Sequence, residues 1–159
     1  MQGVPYVAVV GASVAAEHEM ESAEEIGRGL AAAGAHVVCG GRGGVMAAVC
    51  RGAREAGGLT IGILPGSDRS VANEWVQVAI PTGLGELRNG LVVRAADVVV
   101  AIGGAYGTLS EIALALRAGM PVLGLGTWNI DGVEHVQSAG EAVQRALELA
   151  RAGGAGPGA

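Results

Sequence analysis

The sequence of 159 residues contains no lysine and no phenylalanine. All ten basic residues are arginine. Without lysine there is no P-loop lysine, no Schiff-base lysine and no lysine nucleophile. Tyr6, Trp75, Tyr106 and Trp128 are the whole aromatic complement. A core must then come from close packing of small and aliphatic side chains rather than from large rings. Cysteine is scarce too. Cys39 and Cys50 lie eleven positions apart with no CxxC, so no disulfide framework is indicated and a reducing cytoplasm is the expected location. The N-terminus lacks a basic segment leading into an apolar run, so it does not read as a signal peptide. The most apolar stretches, 91–102 and 112–126, are interrupted by Arg94, Asp97 and Arg117. Neither reaches the roughly 20 residues that a bilayer-crossing helix needs, and no membrane association is expected.

What the chain has in plenty is small residues and aliphatics. Glycine and alanine number 29 each, and half of all residues are apolar. The glycines cluster between apolar runs, which points to turns in a folded domain rather than to disorder. The net charge is −5, which argues against a nucleic-acid-binding surface. It leaves room for a local anion site, because backbone amides bind phosphate without net positive charge.

Apolar runs without polar alternation occupy 6–10, 35–39, 59–64, 97–102 and 121–125. Such runs are strands buried on both faces, as in a parallel sheet. Residues 75–80 (WVQVAI) alternate and fit a half-exposed edge strand. Helical spacing falls between them, at 19–33, 45–56, 85–96, 108–118 and 139–152. The alternation predicts a three-layer α/β fold with a mostly parallel sheet of six or seven strands. Residues 1–152 form one domain, and 153–159 (GGAGPGA) are expected to be a disordered tail. Ligands of such sheets bind beyond the carboxyl ends of the strands, so the loops there are where function is sought.

Three of these loops are rich in small residues. Gly11-Ala12-Ser13 follows the first strand, where Gly11 permits close approach and Ser13 offers a hydroxyl. An ordinary tight turn would use the same residues. Gly40-Gly41-Arg42-Gly43-Gly44-Val45-Met46 follows the second. Gly41, Gly43 and Gly44 suggest a nest of backbone N–H groups, though glycines also simply relieve strain. The third loop, Gly103-Gly104-Ala105-Tyr106-Gly107-Thr108, follows the strand at 97–102 and opens a helix. Its small residues free amides at a helix N-terminus, with Thr108 placed to cap the helix or to contact phosphate. Two roles are open to Glu111. It can close a capping box with Thr108, or stand as a carboxylate beside an anion site. Arg88 precedes that strand near the start of a helix, where the dipole prefers an acid. Glu86, Glu111 or a bound anion are its candidate partners.

Other chemistries lack their signatures. No GxGxxG follows the first strand and no acid ends the second, which disfavours a nicotinamide site. No GxSxG nucleophile elbow occurs. His18, His36 and His135 have no metal-ligand spacing, so neither a metal nor a resident cofactor is expected.

As a set, Gly103 to Glu111, Arg88 and Gly40 to Met46 resemble the Lonely-Guy (LOG) proteins and their DNA-processing-protein-A-like relatives. The pattern of that group is PGGxGTxxE, with an arginine on the preceding helix and an earlier GGxxGxM loop. The resemblance covers roughly residues 5–125. It departs where the motif proline is Gly103 and its second glycine is Ala105. It also departs where the flank of Arg88 reads GELRN rather than MHERK. These departures place it nearer a short branch that includes molybdenum-cofactor carrier-like proteins. The resemblance implies a Rossmann-like fold, a homodimer and a small phosphorylated ligand. It assigns Gly104, Gly107 and Thr108 to the phosphate, with Gly103, Ala105 and Tyr106 as further binding candidates in the same loop, and Arg88 and Glu111 to catalysis at the ribose and leaving base. The implied reaction is hydrolysis of the N-glycosidic bond of a purine nucleoside 5′-monophosphate. The alternative is a non-catalytic carrier of molybdenum cofactor or another phosphorylated ligand.

Overall fold

The computed structural model describes residues 3–153. The expected tail lies outside them, apart from Gly153. The elements in order are β1 (Tyr6–Gly11), α1 (Glu17–Ala32), β2 (His36–Cys39), α2 (Val45–Glu55), β3 (Thr60–Leu64) and β4 (Val78–Pro81). There follow α3 (Asn89–Arg94), β5 (Val98–Ile102), α4 (Tyr106–Arg117), β6 (Val122–Leu125), β7 (Val133–His135) and α5 (Ala139–Gly153). The seven strands form one sheet in the order β4-β3-β2-β1-β5-β6-β7, and every pairing is parallel.

The central strands bury both faces, as their unbroken apolar runs require. All five residues of β5 are buried, as are Val7 to Val10 of β1. Alternate residues feed two cores. Val7, Val9, Val98 and Val100 pack with Ile26, Leu30, Val49 and Leu147 from α1, α2 and α5. Ala8, Val10, Val99 and Ala101 pack on the opposite face with Val92 of α3 and Ile112 of α4. The three layers are those the periodicity predicts.

Two helices approach unusually closely. A Cβ on Gly27 of α1 would lie 2.0 Å from the Val49 carbonyl oxygen, and one on Gly52 of α2 would lie 1.9 Å from that of Glu24. Glycine inside these helices is therefore a packing requirement.

Three of the elements differ in extent from the sequence reading, and one strand joins those it located. The helix expected at 85–96 is a 3-10 turn, Gly85–Arg88, followed by the short α3. Gly85 takes φ +60°, which an α-helix does not accommodate. The helix expected from 108 begins at Tyr106. The edge strand begins at Val78, because Asn73 folds Trp75 and Val76 into a turn by accepting their backbone N–H groups on its side chain and its carbonyl. The seventh strand is the short, partly exposed β7.

Candidate functional site

Chain direction along the sheet reverses at β1. The strands β2, β3 and β4 lie on one side of it, and β5, β6 and β7 on the other. A cleft of about 400 Å³ lies over the carboxyl ends of the strands at this switch point. Gly11, Ala12, Ser13 and Val14 line it from the loop after β1. Arg42 and Met46 line it from the β2–α2 segment, and Glu86, Arg88 and Asn89 from the 3-10 turn into α3. Ala105, Gly107, Thr108 and Glu111 complete the wall from α4.

The start of α4 is shaped for an acceptor. Ala105 is the N-cap residue, in extended conformation and with no side chain able to cap. The amides of the first turn have no intrahelical acceptors. A Cβ on Gly107 would meet nothing within 4 Å, so this turn is open. Thr108 is 1% exposed, and its Oγ1 has no hydrogen-bond partner. The loop leading in is pinned from outside. Thr127 Oγ1 donates to the Gly103 carbonyl at 2.6 Å and Trp128 Nε1 to the Ala105 carbonyl at 3.2 Å. Gly103 takes φ +72°, which favours glycine, and a Cβ there would displace the Glu19 carboxylate, 2.2 Å away.

Because α4 begins at Tyr106, Glu111 lies beyond the first turn and cannot complete a capping box with Thr108. Its carboxylate faces Arg88 instead, with Oε1 4.0 Å from Nη1. Both side chains are buried. Burial pushes the Glu111 carboxyl from its ordinary 4.5 up to about 7, against the opposing pull of Arg88. Burial likewise lowers the Arg88 pKa, against the attraction of Glu111. Arg88 Nη1 donates to Asn89 Oδ1, and Asn89 Nδ2 donates to Ser110 Oγ at 3.1 Å. Arg88 Nε has no partner. Gly40 makes room for this guanidinium, because a Cβ there would lie 2.8 Å from Nη2 and 2.9 Å from the Met46 sulfur.

The glycines of the second loop serve packing. Gly41, Gly43 and Gly44 do not line the cleft. The Gly41 N–H donates to Cys39 Sγ at 3.3 Å. A Cβ on Gly44 would come within 2.2 Å of the Ala12 carbonyl oxygen, and the Val45 N–H donates to that same oxygen at 3.0 Å. The second loop is thus folded against the first. Gly103, Gly104 and Tyr106 also stand outside the cleft, with Tyr106 stacked on Trp128 and 84% exposed. Gly11, Ser13, Ala105, Gly107, Thr108, Arg88 and Glu111 are brought together. Ala12, Val14, Arg42, Met46 and Asn89 join them without having been singled out, as does Glu86, named above only as a candidate partner of Arg88. Of these, Arg42 carried the one available signal, a charged residue inside a run of glycines. Cys39 and Cys50 are free thiols buried beneath the second loop, their sulfurs 3.5 Å apart.

Known proteins share this fold. The molybdenum cofactor binding protein of the phototrophic bacterium Rippkaea orientalis is 33% identical and superimposes with a TM-score of 0.88, covering 94% of this chain and 99% of that one. The Moco carrier protein of Chlamydomonas reinhardtii is 36% identical with a TM-score of 0.85, over 92% of this chain and 98% of that one. A probable cytokinin riboside 5′-monophosphate phosphoribohydrolase of Oryza sativa subsp. japonica is 31% identical over 118 residues, 70% of this chain. The aligned segment spans about half of that relative, 52% of its length. The model of the SLOG cluster4 family matches residues 4–152. With the match running through all seven strands and both walls of the cleft, the chain belongs to the SLOG cluster4 family, a LOG-like α/β group.

Proposed function

We propose that this protein binds a small phosphorylated ligand in the switch-point cleft, with the phosphate seated on the first turn of α4. The observation that carries this is Thr108, whose buried hydroxyl lacks a partner at a helix start held open by Gly107. A buried unpaired hydroxyl costs about 1–3 kcal/mol, and a phosphate oxygen would satisfy it together with the free amides. The preferred reading is a carrier, with molybdenum cofactor or a related phosphorylated pterin as cargo. The two cofactor-binding relatives support it, each aligned over nearly its full length.

The second reading is hydrolysis of the N-glycosidic bond of a purine nucleoside 5′-monophosphate. Glu111 favours it. A carboxyl held near 7 can act in either protonation state at neutral pH. As a carboxylate it would hold the ribose hydroxyls or stabilise an oxocarbenium-like centre. As an acid it would protonate the departing base. Arg88 would keep it oriented.

One experiment separates the readings. Purified protein is incubated with AMP and with N6-isopentenyl AMP, followed by chromatography for free base and by thermal melting. A raised melting temperature with no free base supports the carrier, and molybdopterin is then the next ligand to test. Free base that disappears in Glu111→Gln supports the hydrolase. If AMP, its isopentenyl derivative and molybdopterin all leave the melting temperature unchanged, the phosphorylated-ligand reading fails. A homodimer is part of the proposal, built on the apolar surface of the 3-10 turn and α3.

A further inference from the structure

We propose that Arg42 forms a second anion subsite at the cleft mouth, set in place by Asn73, so that the ligand carries an anionic group besides the phosphate on α4. The inference rests on the phosphorylated-ligand reading above but concerns the opposite wall of the cleft. Arg42 is exposed and lines the cleft. Among the described residues Arg42, Arg54, Arg69, Arg94, Arg117 and Arg151 have no carboxylate partner, and of these six Arg42 is the one that lines the cleft.

Its backbone is nevertheless held firmly. Gly41 and Gly44 have positive φ, and a loop of glycines has little stiffness of its own. Asn73, from the segment before β4, supplies it. The Asn73 N–H donates to the Gly41 carbonyl at 2.9 Å, and its Nδ2 donates to the Arg42 carbonyl at 2.8 Å. Its Oδ1 accepts the Trp75 N–H at 3.0 Å, which fixes the asparagine in turn. A free surface arginine adds little to stability, so an unpaired one carried on a held backbone at the rim of a cleft is placed to meet a ligand. The guanidinium fork matches an oxyanion such as a second phosphate.

The two subsites are distinct. The loops carrying Arg42 and Thr108 follow β2 and β5, which flank β1 on either side. Their roots therefore stand about 10 Å apart, two strand spacings. The fitting ligand class is a phosphomonoester with a second phosphate or other oxyanion on the same molecule.

The test compares affinities for AMP and adenosine 3′,5′-bisphosphate by titration calorimetry. The wild-type protein should bind the bisphosphate at least about tenfold more tightly, which is 1.4 kcal/mol. In Arg42→Ala that ratio should fall towards one. Asn73→Ala should lower the ratio as well, and adding it to Arg42→Ala should change nothing more. A merely structural asparagine would instead give additive losses. A ratio of one in the wild type, or an unchanged ratio in Arg42→Ala, overturns the subsite. Tungstate soaked into crystals provides a readout free of nucleotide. An oxyanion bound at Arg42 in the wild type and lost in Arg42→Ala sustains the subsite even if AMP fails to bind. No oxyanion there, with no AMP binding, removes both this inference and the reading beneath it.

Discussion

At the scale of single residues, the site holds its chemistry ready at a cost to stability. Thr108 shows this most simply. Replacing it with valine keeps the shape and removes a buried hydroxyl that lacks a partner. The free Thr108→Val protein should melt no lower than the wild type, yet its affinity for AMP should fall about tenfold, since a hydrogen bond to a charged group contributes about 1.5–3 kcal/mol. Melting and calorimetry on the same sample decide it, and a large drop in melting temperature would mean that the hydroxyl serves the fold. Glu111 makes a prediction with a sign. Its carboxyl lies at about 7 in the fold against an ordinary 4.5, so the folded state holds a proton that the unfolded state has released. Its contribution to stability is therefore fully present below about 4.5 and is lost as pH rises through 7. Urea unfolding of wild type should show a fall of up to about 3 kcal/mol between pH 5 and pH 8 from this group, missing in Glu111→Gln. The sequence brought Arg88 forward as a cation near a helix start, where the dipole prefers an acid, and Glu111 as an acid beside a glycine-rich loop, and the fold sets the two face to face. Thr108 was misplaced within its helix, since Ala105 caps through backbone conformation alone and leaves no side-chain signal, while T-x-x-E imitates a capping box.

At the scale of elements, the strands were the readable part, because a strand buried on both faces leaves an unbroken run of Val, Ile, Leu and Ala. The turns were harder. The stretch 85–96, whose apolar spacing reads as one helix, opens with Gly85 at positive φ as a 3-10 turn and becomes α-helical only from Asn89. Two of the three glycine-rich loops mix cleft-lining residues with ones that pack against neighbouring segments, a distinction that depends on neighbours distant in sequence. Gly44 meets Ala12, and Gly103 meets Glu19. The closest steric demand lies away from the site, at the α1–α2 crossing. Gly52→Ala would press a methyl to 1.9 Å from the Glu24 carbonyl oxygen, and only a backbone shift can relieve that. Overpacking of this kind costs about 1–3 kcal/mol. Gly90→Ala provides the contrast, because it sits in α3 with nothing within 4 Å of its Cβ position. There the change should be neutral or stabilising by up to about 1 kcal/mol. Denaturation midpoints of the two variants should move in opposite directions, and equal shifts would mean that the helix crossing adjusts freely.

At the scale of the whole molecule, the described residues leave an apolar surface uncovered. The sequence shows Leu87, Leu91, Val92 and Val93 as one apolar stretch, and only the fold divides it. Val92 and Val93 face the core, whereas Leu87 is 80% exposed and Leu91 44%. Leu84 is also exposed, so exposed leucines recur at three- and four-residue spacing along the 3-10 turn and α3. Leu114 is exposed on α4, the helix packed against α3. Exposed leucines grouped in this way fit an interface, and a second copy of the chain is the partner that the proposed homodimer would supply. The surface adjoins Arg88, so the same contact would brace the wall of the cleft. A stable dimer buries about 800 Å² on each partner, and a carboxylate at its centre would have to be desolvated without a counter-charge. Leu87→Glu should therefore convert a dimer to a monomer in light scattering at micromolar concentration. The monomer should keep its far-ultraviolet circular dichroism, because Leu87 contributes almost nothing to the core. A wild-type protein already monomeric at that concentration would show that these leucines serve another partner, and a Leu87→Glu protein that remains dimeric would place the interface elsewhere.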